Sequence, residues 1–111
     1  MANRYVAFYE DGDGTLHASP DPLRVNCGDQ VVWTNGTSGE YQVTQFSPAQ
    51  PALFSSESIC LPDNDVSAPV TVKANPAPGI SMRYKYSCVS TGPDGKVLDP
   101  IIIVDPPGGD R

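Results

Sequence analysis

The chain reads as an all-β protein, an antiparallel two-sheet Greek-key β-sandwich of about seven strands. Twelve Pro and ten Gly are spread along 111 residues, so turn signals recur at short intervals. Between them, short runs alternate apolar and polar residues, the period of a strand with one buried and one wet face. No window carries a helical period, and no stretch approaches the length of a membrane span.

Residues 4–9 alternate aromatic and β-branched side chains and predict the first strand. Glu10-Asp-Gly-Asp-Gly-Thr15 is a turn. Its Asp11 and Asp13 echo a calcium loop, but Pro22 stands where such a loop needs its bidentate acid, so a hairpin turn is the reading. Residues 22–25 form a short strand, and Asn26-Cys-Gly-Asp29 turns the chain into a strand over 30–35 with Val31 and Trp33 on one face. Residues 35–39 loop into a strand over 41–46. Residues 48–65 hold three prolines and Cys60 and read as an irregular wrap over one face or edge. Its Leu53 and Phe54 cover the core or offer a second binding surface, and core cover is preferred. Residues 69–74 are a strand and 75–79 a turn. In the next strand, 80–88, Ile80, Met82, Tyr84, Tyr86 and Cys88 face inward while Ser81, Arg83, Lys85 and Ser87 face water. Residues 97–104 close the sandwich, and the run Ile101-Ile-Ile103 predicts a central strand or one buried on both faces. Residues 1–105 are read as a single domain and 106–111 as a Pro/Gly-rich tail.

The formal charge is −6, and the seven basic residues are scattered. That argues against nucleic acid or anionic lipid as partner, because phosphate binding needs clustered Lys and Arg. The N-terminus has no charged leader followed by an apolar block, which predicts a cytoplasmic protein, or an exported one if a leader has been removed. Three cysteines is an odd count, so at least one thiol is free or pairs between chains, and Cys60 with Cys88 is the pair that would bridge in an exported protein. One histidine and no nucleophile motif leave no catalytic triad, so no enzyme is predicted. The carboxylate pairs Asp11 with Asp13 and Asp63 with Asp65 read as solvated turn acids.

Three segments carry a resemblance to a known family. Leu23-Arg-Val-Asn-Cys-Gly-Asp-Gln-Val-Val-Trp-Thr-Asn35 joins two strands through a Gly-Asp turn and ends on Asn. Tyr84-Lys-Tyr-Ser-Cys88 is an aromatic strand ending in a thiol, and 97–104 closes the chain. In this order, covering roughly half the chain, they resemble the cupredoxins, the small blue-copper proteins. The resemblance implies a copper site near Asn35 and Cys88. Such a site needs two imidazoles beside the thiolate, usually with a thioether. At the positions the resemblance implies for these ligands stand Tyr41, Thr91 and the stretch Asp94-Gly95-Lys96. His17 and Met82 lie outside the pattern. A blue-copper site is therefore not expected, no cofactor is predicted, and Tyr41, Cys88, Thr91 and Lys96 read as degenerate metal-site positions.

The expected function is a non-catalytic, copper-free binding module for another protein or a small ligand. Its loops at the former metal end carry Thr37, Glu40, Tyr41, Thr91, Asp94 and Lys96. The alternative is a thiol-based soft-metal or redox protein centred on Cys88 and Cys60. An Ig-like recognition domain is the alternative fold, on Cys27, Trp33 and Tyr86-x-Cys88, although Cys27 lies only six residues before Trp33. Asn35-Gly-Thr37 also matches a glycosylation sequon.

Overall fold

The computed structural model describes residues 2–92 and 95–106. Beyond Pro106, the tail read from the sequence lies outside the described residues, as does Asp94. Ten strands follow in order: β1 Asn3–Glu10, β2 Leu16–Ser19, β3 Leu23–Val25, β4 Gln30–Asn35, β5 Tyr41–Ser47, β6 Ser58–Leu61, β7 Val70–Thr71, β8 Met82–Ser90, β9 Val97–Leu98 and β10 Ile101–Val104. They build one sheet in the order β2-β1-β4-β7 and a second in the order β3-β10-β8-β5-β6, with β9 on β8. The described residues hold no helix, hence none long and apolar enough to cross a membrane.

Both sheets are mixed, which corrects the expectation of an antiparallel sandwich. β1 lies parallel to β4, from Asn3 opposite Gln30 to Phe8 opposite Asn35, and β3 lies parallel to β10. The cause is a sheet switch at Pro20-Asp21-Pro22. β2 hydrogen-bonds in the first sheet and β3 in the second, so β1 and β10 each gain a neighbour distant in sequence. Asp21 fastens the switch by accepting the Ile101 amide at 3.0 Å. Alternation along a strand states which residues face inward; it is silent about the direction of the neighbouring strand.

The strand number is corrected too. β2 and β6 have four residues each, and β6 was hidden inside the expected wrap. The predicted strand over 97–104 is broken at Asp99-Pro100 into β9 and β10, and the one over 69–74 shrinks to Val70–Thr71. Proline withholds a ladder donor, so it interrupts pairing at Pro100. Ile80 was expected to face inward. It is 56% exposed in the turn before β8, where no strand face exists to bury it. Ser87 was expected to face water, yet it is buried and donates to Asp99 Oδ1 at 2.9 Å.

One apolar cluster fills the space between the sheets. Trp33, Tyr84, Tyr86 and Phe8 are its largest fully buried side chains, and the Trp33 indole N–H donates to the Tyr86 hydroxyl at 3.1 Å. Residues 48–57 wrap over one opening and push Leu53 and Phe54 inside, as preferred from the sequence. The wrap is pinned by the Lys73 amide on the Leu53 carbonyl at 2.7 Å and by the Tyr84 hydroxyl on the Pro51 carbonyl. Beside it, β5 carries a bulge: between the pairs Thr44–Ser87 and Ser47–Lys85, Gln45 and Phe46 oppose the single residue Tyr86 on β8, and Gln45 takes φ 58°. The extra residue re-aims Phe46 onto Phe54 and Tyr86, with ring centroids 5.5 and 5.9 Å away.

At the opposite end from the loops of interest, Asp29 ties the chain together. Its carboxylate accepts the amides of Ala2 at 3.0 Å and Asn26 at 2.9 Å, and pairs with Arg4 at 3.3 Å. Burial alone would raise its pKa, but these three donors outweigh it and hold the carboxyl below the usual range. Asn26 in turn donates through Nδ2 to the Asp105 carbonyl at 3.4 Å. The turn itself relies on Gly28 at φ 93°, a conformation that a Cβ would strain.

Candidate functional site

The loop end is built around Asn35, the last residue of β4. Its side chain is buried and makes four contacts. Nδ2 donates to the carbonyls of Gly39 at 2.9 Å and Leu61 at 3.2 Å. Oδ1 accepts the Thr37 amide at 2.9 Å and lies 2.8 Å from the Thr37 hydroxyl. Asn35 thus closes its own loop and ties it to β6 in one step. The sequon reading fails sterically, because Nδ2 is buried and a glycan on it would replace one of its two carbonyl contacts and leave no room for the sugar.

Tyr41 opens β5 and points inward, 2% exposed. Its ring meets Phe8 edge-on at 4.6 Å between centroids, and Gly39 lies against it. Cys88 sits two residues deeper on the adjacent strand, opposite Val43 on one side and Leu98 on the other. It is fully buried; burial, with a smaller push from the negative charge of Asp99, raises its thiol to about 12. Its cross-strand neighbours Val43 and Leu98 are apolar, and it is a small core residue.

The outer surface of the same end is different. Glu40 and Thr91 are exposed and joined twice: the Thr91 amide donates to the Glu40 carbonyl at 3.1 Å, and its hydroxyl to Glu40 Oε1 at 3.0 Å. The Cys60 thiol donates to Glu40 Oε2 at 3.4 Å. That hydrogen bond, with burial and the carboxylate charge adding, raises the Cys60 pKa. Lys96 bends toward the β1–β2 turn, where it pairs with Glu10 and donates to the Gly14 carbonyl at 3.1 Å.

The residues singled out from the sequence therefore gather at one end but divide between inside and outside. Thr37 and Tyr41 are buried and build the end; Glu40 and Thr91 face solvent, and Lys96 is half-buried. Asp94 lies outside the described residues. The bridge between Cys60 and Cys88 that an exported protein would have allowed is not formed. Cys60 stands opposite Gln42 and faces outward, whereas Cys88 stands opposite Val43 and faces inward, so β5 and the thickness of the sheet separate the thiols. Cys27 is exposed in its turn and lies away from Cys88, contrary to an Ig-type pair. His17 lies on the outer face of the first sheet, stacked on Tyr9 and 2.8 Å from Asp11. Among the described residues no three His, Cys, Asp or Glu side chains converge on a point that a metal ion would fill.

Sequence reasoning missed the Glu40–Cys60 contact. Its only trace is the alternation Ser58-Ile-Cys-Leu61, too short to separate from a loop without its partner strand. The chain matches no protein-family model, and no curated protein is significantly similar to it in sequence.

Proposed function

We propose that the chain is a non-catalytic, copper-free cupredoxin-like recognition domain that binds another protein or a small ligand through one end. The observation that carries this reading is the division of that end. Tyr41, at the position the resemblance implies for an imidazole ligand, packs on Phe8 and closes the interior, while Glu40 and Thr91 hold each other in a fixed polar array outside. Support for the family reading comes from the meeting of its three segments: Trp33, Cys88 and Ile102, one from each, lie in a single buried cluster, and the closing strand pairs with the Cys88 strand. Support for a metal-free site comes from chemistry: Cys88 has Val43 and Leu98 as neighbours, and an apolar setting disfavours the thiolate that metals require.

A rigid end with exposed hydroxyl and carboxylate groups suits recognition, since little side-chain freedom is lost on binding. The test has two arms. Anaerobic titration of the reduced protein with Cu(I), Cu(II) and Zn(II) is expected to give no thiolate-to-metal absorbance and no thermal shift; a band lost in Cys88→Ser would restore a metal function. Quantitative affinity capture with wild type, Thr91→Arg and Lys96→Glu is expected to lose the same partner in both variants. Retained capture in both removes the proposed surface.

A further inference from the structure

β6 is the outermost strand of the second sheet, and among the described residues no strand pairs with its far side. The direction of its backbone groups follows from the ladder. The Thr91 amide bonds the Glu40 carbonyl, so Tyr41 opposite Ser90 is a non-hydrogen-bonded pair. Alternation then turns Tyr41 toward β6, making Tyr41–Leu61 and Val43–Ile59 the hydrogen-bonded pairs. The amides and carbonyls of Ser58 and Cys60 are left facing the open edge. An unpaired edge of this kind is a template for another strand.

Next to the edge, between β6 and β7, runs a cleft of about 320 Å³ lined by Ile59, Cys60, Pro62, Val66, Ala68 and Val70. Its lining is mostly apolar, with Ser56 and Ser58 contributing hydroxyls, and Val66 in it is 52% exposed. The charge around it has one sign. From Val25 to Val72 the chain contains no Lys or Arg. Glu40, Glu57, Asp63 and Asp65 are exposed in this stretch, and none has an ion-pair partner among the described residues.

We propose that the β6 edge binds an extended basic segment of a partner protein by antiparallel strand addition. The occupant alternates cationic and apolar side chains. Its cationic residues lie opposite Ser58 and Cys60, where their amides meet the free backbone groups and their side chains reach Glu57 and Glu40. Its apolar residues lie opposite Ile59 and enter the cleft. This surface adjoins the loop end and shares Glu40 with it, and the proposal goes beyond the reading above by assigning the β6 edge and an extended basic occupant.

The probe is a fluorescein-labelled, end-capped Lys-Val-Lys-Val-Lys-Val peptide, read by fluorescence anisotropy at low and high salt. Binding that weakens with salt is expected. N-methylation of the lysine amides should weaken it roughly tenfold or more, because those amides pair with β6, whereas N-methylation of the valine amides should change it little. Cys60→Pro should give the same loss with the fold retained, since the Cys60 N–H faces the open edge and takes no part in the β5 ladder. Glu57→Lys should weaken binding, and Arg24→Gln, in the strand at the other edge of the second sheet, should leave it unchanged. Failure to bind the parent peptide, or equal responses to the two N-methylated peptides, would overturn the proposal. The N-methylated pair uses the wild-type protein, so it decides the matter even if Cys60→Pro does not fold. The capture experiment with Thr91→Arg is unaffected by either outcome.

Discussion

The inside and the outside of the loop end are made from neighbouring residues with opposite roles. Tyr41 and Glu40 are adjacent in sequence; one is 2% exposed against Phe8, the other lies in solvent holding Thr91 and Cys60. Thr37 and Thr91 are the same residue type; one is locked beneath Asn35, the other reaches out. Residue type at this end thus says little about task. What separates fold-building from available groups is the strand face on which each falls.

The comparison breaks first at Tyr41. Tyr41→Ala empties an aromatic from the core and should cost about 4 kcal/mol, read as a lower midpoint in denaturant titration. A loss under about 1 kcal/mol would mean that Tyr41 is not the structural half of the pair. Asn35→Ala should cost about 3 kcal/mol, because the Leu61 and Gly39 carbonyls lose their donor and Thr37 its acceptor. Thr91→Ala, which removes only exposed bonds, should stay within about 0.5 kcal/mol of wild type.

The two thiols sharpen the contrast by pH. The Cys88 pKa of about 12 in the fold lies above the ordinary value near 8.5. A raised folded pKa means that its contribution is fully present below the unfolded value and is lost as pH rises toward 12. Above pH 9, wild type should lose stability faster than Cys88→Ala, by up to about 1.4 kcal/mol per pH unit. Parallel pH profiles would refute the buried-thiol account. In the smallest effect, Cys27 and Cys60 label with a thiol reagent in the native state and Cys88 only in denaturant. Glu40→Gln should speed Cys60 labelling several-fold at pH 7 to 8, because the carboxylate that raises its pKa is gone.

Much of the inside was legible. Val31 and Trp33 alternating in Gln30–Asn35, and Tyr84 and Tyr86 before Cys88, gave faces that burial bears out. Asn35 was legible as the end of a strand; its hub of hydrogen bonds was not, since Leu61 lies 26 residues away. The parallel neighbours, the Gln45 bulge and the short strand β6 were hidden for one reason. Each is fixed by what lies across from it, and a period-two pattern records only what lies above and below. The absent imidazoles were read directly from composition, because a chain with one histidine cannot offer two.

The clasp at Asp29 carries a different consequence. Ala2 hangs from the Asp29 carboxylate and Asp105 from the Asn26 side chain, so both ends of the described residues meet at one turn, opposite the loop end. A short linker between these ends would permute the chain without crossing the sandwich, and new ends opened in the exposed turn at Gly79 would interrupt no strand. By the same geometry the domain can be spliced into a surface loop of a host protein, held by both ends like a bud on a stalk, with its loop end pointing away from the host.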